Sequence, residues 1–118
     1  LARRKRFHVE FTAGADRDLH SIHDLINQDR PHAAARWLRE LQKRVNLLET
    51  MPLGFEIIPE AADLALPLRH VLYGNYRIIY LVTENRVSIV RIVHASRHLT
   101  PNLLELPSPT EEPDEPGQ

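Results

Sequence analysis

Four arginines and two histidines are threaded through the most apolar stretch of the chain, "YGNYRIIYLVTENRVSIVRIVHASRHL", residues 73–99. An arginine offers a fixed fork of donors suited to phosphate or carboxylate, and a histidine moves a proton near neutral pH. Whether these groups act together depends on which side chains share a face. A two-residue turn at Gly74-Asn75 pairs Tyr73 with Tyr76, Leu72 with Arg77 and His70 with Ile79. A second turn at Glu84-Asn85 pairs Leu81 with Ser88, Ile79 with Val90 and Arg77 with Ile92. This register puts His70, Arg77 and His94 on one face, with Arg97 and His98 just past the strand end. Arg69 and Arg91 fall on the opposite, apolar face, where Arg91 needs an acid from a helix or from Glu10. The candidate catalytic set is therefore Arg77, His94, Arg97 and His70, and the candidate anion-binding set is Arg69, Arg77, Arg97 and His98. A plainer reading makes Arg77 the anchor of a loop carboxylate and the histidines ordinary polar surface.

The strands that carry these groups need a partner layer. "RFHVEF" alternates as a short strand, and Thr12 stands where an N-cap belongs. Behind it Ala15, Leu19, Ile22 and Ile26 recur at helical spacing. Pro31 suits the first turn of a second helix, whose inner stripe is Ala34, Trp37, Leu38, Leu41, Val45 and Leu48. A connection of about four residues predicts an antiparallel helical hairpin. Each apolar stripe is too narrow to stand free, so both helices must lie on a sheet. "FEIIP", "LRHVLY", "YRIIYLV" and "VSIVRIVH" supply three or four antiparallel strands. The fold class is α+β: a short N-terminal strand, the helical hairpin, then an antiparallel sheet with both helices on one face.

The 118 residues suit one domain, expected over 1–104. The remaining residues 105–118, "ELPSPTEEPDEPGQ", combine proline with five acids and no base, a composition that predicts a disordered tail. Residues 1–104 then hold all 15 Lys and Arg against 11 acids, with four of the cations at Arg3–Arg6. That balance permits a polyanionic partner without demanding one. There is no cysteine, which excludes a thiolate metal site and a cysteine nucleophile. No apolar run is long enough for a membrane span and "LARRKRFHVEF" has no signal core, so a soluble, cytoplasmic protein is expected. His20 with His23, and His94 with His98, have metal-ligand spacing but no third ligand beside them, and neither a metal nor a cofactor is expected.

"FTAGADRDLHSIHDLI", "AARWLRELQKRVNLLETMP", "GNYRIIYLV" and "VRIVHASRHL" occur in that order and spacing. Together they resemble the RelE/ParE superfamily of type II toxin–antitoxin toxins, often labelled plasmid stabilisation proteins. The resemblance implies a toxin held in a hetero-oligomer by a cognate antitoxin that wraps the helical hairpin, with Leu25, Trp37 and Leu41 as contacts, and the sheet edges. It leaves the target divided. ParE-like members poison DNA gyrase and have no known chemistry of their own. RelE-like members are mRNA interferases, ribonucleases working on the ribosome, in which the arginines matching Arg77 and Arg97 contact the scissile phosphate. Those enzymes also use lysines on the strand before the Tyr-Arg pair, where this chain has Leu68, His70 and Leu72 and no lysine at all after Lys43. They use a late tyrosine or histidine, and only His94 or His98 could serve here, since no tyrosine follows Tyr80. The resemblance thus favours a gyrase-directed toxin over a ribonuclease. A third option is a non-toxic homologue that only binds the antitoxin.

Overall fold

The computed structural model describes residues 5–104. Arg3, Arg4 and the acidic tail expected to be disordered lie outside the described residues. Strand β1 (His8–Phe11) leads into helix α1 (Ala13–Asp29). Thr12 caps that helix from an extended backbone, its hydroxyl accepting the Ala15 N–H at 3.2 Å, and Asp16 lies in the first turn against the helix dipole. Helix α2 (Pro31–Leu47) begins one residue after α1 ends. The link is Arg30 alone rather than about four residues: its N–H still bonds Ile26 while its carbonyl already accepts Ala34 N–H. One residue thus closes one helix and opens the next, helped by Pro31, which has no N–H to satisfy. Ala34, Trp37, Leu41, Val45 and Leu48 are buried at spacings of three and four, the inner stripe expected from sequence.

After a 3-10 turn at Pro52–Gly54 come a short helix α3 (Ala61–Leu64) and strands β2 (Arg69–Tyr73), β3 (Tyr76–Val82) and β4 (Arg86–His94), then one further turn of helix, α4 (Pro101–Leu104). The sheet order is β1-β4-β3-β2. β2–β3 and β3–β4 are antiparallel, while β1 joins β4 in parallel, so the sheet is mixed rather than wholly antiparallel. "FEIIP" does not form a strand; Ile57 makes a single bridge to Arg69.

The β2–β3 register is the one the Gly74-Asn75 turn implies, from Tyr73↔Tyr76 through Leu72↔Arg77 to His70↔Ile79. Gly74 has φ 57°, the left-handed backbone such a turn requires. The β3–β4 register begins as expected with Leu81↔Ser88 and then shifts, because Tyr80 pairs with Ile89 but Ile79 with Arg91. Val90 is the extra residue of a β-bulge. Beyond it every side chain of β4 changes face. Ile92 joins Val71, Ile78, Tyr80, Val87 and Ile89 under the helices. Val93, now opposite Arg77, turns to the other side. His94 pairs with Tyr76 and leaves the face of Arg77, which corrects the expectation that the two share a patch.

That second face is not open to solvent either. Ile58, Ala61, Leu68, Ile79, Val90, Val93, Leu99 and Leu104 form a second core on it, laid down by the chain before β2 and after β4. The sheet is therefore covered on both sides, by the helical hairpin on one and by irregular chain on the other.

Candidate functional site

Arg77 projects from β3 into this second core and is only 5% exposed. Its Nη1 donates to Glu60 Oε1 at 3.1 Å and its Nη2 donates to Glu60 Oε2, a two-pronged pair. Nη2 also donates to the Arg97 carbonyl at 2.8 Å, while Nε has no partner. Glu60, 6% exposed and next to α3, further accepts the Leu99 N–H at 3.0 Å. The Arg77 hydrogen bonds hold the Glu60 carboxyl down to about 2 against the opposing effect of burial, and the Leu99 N–H lowers it further. The pair thus stays ionised and ties the chain leaving β4 to the sheet.

Past β4, the loop of residues 94–98 is held at several points. Ala95 N–H reaches the Asn75 carbonyl at 2.7 Å, and Arg97 N–H reaches the His94 carbonyl at 2.9 Å. His94 Nδ1 lies 2.7 Å from the Ser96 hydroxyl. Arg97 and His98 are exposed, and His98 Nδ1 stands 3.8 Å from Glu60 Oε2. Arg77, Glu60, Asp63, Ser96, Arg97 and His98 line an open cavity of about 330 Å³.

The structure therefore brings three of the expected residues together, Arg77, Arg97 and His98, and separates the rest. His70 is buried on the Arg77 face, with Nε2 3.0 Å from Glu56 Oε1 and Nδ1 unpartnered, but it does not line the cavity. His94 faces the helix side, 6.0 Å from the Tyr76 ring. Arg69 donates to the Phe55 carbonyl at 2.5 Å and serves to hold the chain beside β2. Trp37 and Leu41, expected as antitoxin contacts, are 8% and 2% exposed: the helix turns its apolar stripe to the sheet, so neither side chain is free to meet a partner. Leu25 is 63% exposed.

Arg91 does find the acid it needs. Its Nε and Nη2 donate to the two oxygens of Asp18 on α1 at 2.6 and 2.9 Å, and its Nη1 donates to the Leu103 carbonyl. Asp18 also accepts the Ile92 N–H at 2.8 Å, satisfying a backbone group of β4 beyond the reach of β1. Glu60 carries no motif that marks it in the sequence. Its one signal was position, a single acid within the apolar run from Ile57 to Ala62. Such an acid is buried only with a cation to meet it.

Among the described residues, no three His, Asp or Glu converge as a metal site would need, and no helix is long and apolar enough to cross a membrane.

Comparison with known proteins agrees with this architecture. A chromosomal ParDE toxin–antitoxin system from P. aeruginosa contains a chain of similar fold. It superposes with a TM-score of 0.60 at 17% identity, over 75% of this chain and 96% of that one. No curated protein matches the sequence. The family model of the ParE toxin of the type II toxin–antitoxin system, parDE, matches residues 9–99, from β1 through the loop after β4. The chain belongs to the ParE toxin family of type II toxin–antitoxin systems.

Proposed function

We propose that this toxin acts by poisoning DNA gyrase, performs no chemistry of its own, and is neutralised by a cognate antitoxin. One observation carries the non-chemical part: the fork of Arg77 is closed on Glu60 and on the Arg97 carbonyl. A phosphate arriving there would have to displace a paired, buried carboxylate, and breaking such a pair costs about 3–5 kcal/mol. The bulge at Val90 moves His94 away from Arg77, His70 on the Arg77 face does not line the cavity, and of the candidate histidines the cavity holds His98.

Antitoxin capture then falls to groups the fold leaves outside. Leu53, Ile57 and Leu72 are large apolar side chains exposed beside β2, an edge strand of the sheet whose first residues are met by Glu56 and Ile57. His70 N–H already points outward there to reach the Glu56 carbonyl, and by alternation the backbone of Leu72 points outward too. An extended apolar segment adding to that edge, with a helix over Leu25, would use both features.

Induced expression of the chain alone should stop growth and accumulate gyrase–DNA cleavage complexes, and co-expression of the antitoxin should relieve both. Arrest with normal supercoiling and intact DNA would overturn the gyrase assignment. The cavity beside Arg97 and His98 keeps one second reading in view, ribosome-dependent cleavage of mRNA. That reading requires new mRNA ends inside codons in arrested cells, detectable by primer extension.

A further inference from the structure

We propose that the end of the molecule formed by the β2–β3 turn and the last residue of β4 binds single-stranded nucleic acid, through a row of rings edged by arginines. The row is continuous. The Arg44 guanidinium lies 4.4 Å from the centroid of the Tyr73 ring. Tyr73 stacks on Trp37 at 6.1 Å and 26°. Trp37 meets Tyr76 edge-on at 6.1 Å and 72°, and Tyr76 meets His94 edge-on at 6.0 Å and 70°. Trp37 is the buried floor, and its carbonyl accepts the Tyr73 hydroxyl at 3.2 Å. Above it Tyr73 and Tyr76 are half-buried and His94 is exposed. The rings that face solvent are thus held by packing rather than left mobile, so a stacked base meets a platform already in place.

Charge selects the same side. Within α2, Arg36, Arg39, Lys43 and Arg44 face one acid, Glu40, whereas α1 carries four aspartates against Arg17. Glu40 pairs with Lys43 at 3.0 Å and with Arg44 at 3.6 Å, which leaves the exposed Arg36 and Arg39 as the excess charge of this helix. An acidic peptide would use these cations and leave the ring surfaces idle. A single strand uses both, with phosphates on arginine and bases on Tyr76 and His94, whose ring contacts with their neighbours are edge-on; Tyr73, between Arg44 and Trp37, braces the row. This surface adjoins the cavity beside Arg97 where His94 meets Ser96 but does not include the Arg77–Glu60 pair, and the proposal does not depend on gyrase being the target.

The test is anisotropy of a fluorescent oligo(dT) of about 20 nucleotides, titrated with the full chain between about 50 and 200 mM salt. Trp37, the single tryptophan, gives a second readout through quenching. Tyr76→Ala should weaken binding roughly 5- to 100-fold, and Tyr76→Phe should retain it. Arg36→Gln and Arg44→Gln should each flatten the dependence of log affinity on log salt by about 0.7. Arg86→Gln, at the other end of β4, should leave it unchanged. Because Arg36 is a surface residue, its variant decides the matter even if Tyr76→Ala fails to fold. Absence of binding at about 50 mM salt would overturn the proposal. So would displacement of the oligonucleotide by polyglutamate at equal charge, or an equal effect of Arg86→Gln and Arg36→Gln.

Discussion

Replacing Glu60 by Gln removes the charge that matches Arg77 while keeping shape and an acceptor for Leu99. The cost follows from the carboxyl itself. Its pKa falls from an ordinary 4.5 to about 2 in the folded chain, and at 1.36 kcal/mol per unit that is about 3 kcal/mol. Both partners are 6% exposed at the side chain, so solvent screening takes little from this figure. The same magnitude is expected for leaving a buried arginine unmatched. The folded value lies below the unfolded one, so the stabilisation is complete above about pH 4.5 and is lost as pH falls towards about 2. Urea unfolding at neutral pH should show Glu60→Gln less stable by about 3 kcal/mol, a drop of roughly 12–24 °C in Tm for a domain of this size. Between pH 5 and pH 2 the wild type should lose its advantage over the variant, other carboxylates cancelling in the difference. Adding Arg77→Met should return most of the loss, since an apolar pair suits that site better than a lone cation. A variant within about 0.5 kcal/mol of wild type at pH 7, or a constant gap down to pH 2, would refute the reasoning.

Asp18→Ala should destabilise by about 3 kcal/mol, because it removes the counter-charge of Arg91 and the acceptor of the Ile92 N–H; hydrogen exchange at Ile92 should rise with it. Gly74→Ala should cost about 1–2 kcal/mol by thermal unfolding while Gly74→Asn costs less, since a Cβ there meets no neighbour and only the φ of 57° resists it. Tyr80, buried with its hydroxyl on the Pro52 carbonyl, is pushed up to about 12 by burial, against a small opposing effect of Arg69. Ultraviolet titration should show one of the three tyrosines ionising near there, and stability falling from about pH 10 to pH 12, as the unfolded chain releases that proton first.

The parts of this fold visible in the sequence are those governed by local chemistry. Thr12, Pro31 and the three-four spacing of α2 locate the helices, and Gly74-Asn75 sets the β2–β3 register residue by residue. The β3–β4 register is lost at Val90. Ile, Val and Leu occupy both faces of this sheet, so no polar alternation marks where one residue is surplus. That single surplus residue turns His94 away from Arg77, beside which an unbroken register would put it. Trp37 and Leu41 are legible as an inner stripe, and the same pattern argues against them as partner contacts. Glu60 and Arg77 lie seventeen residues apart on different elements, and nothing local announces their pairing. The plainer reading, an arginine that ties down a loop carboxylate, describes Arg77 as the structure has it.

The parallel pairing of β1 with β4 also orders events in time. His8 lies beside Arg86, so the first strand made has no partner until the last strand of the sheet has emerged. At about 5–20 residues per second that wait is roughly 4–16 s. Closing so long a loop is also among the slower steps available to a chain of this size. During synthesis the edge of β1 and the underside of α1 stay unpaired, and any surface that needs the closed sheet does not yet exist. A ribosome that stalls before residue 86 releases a fragment without the finished surface. No partner can therefore meet the finished surface before β4 has been made and has paired with β1.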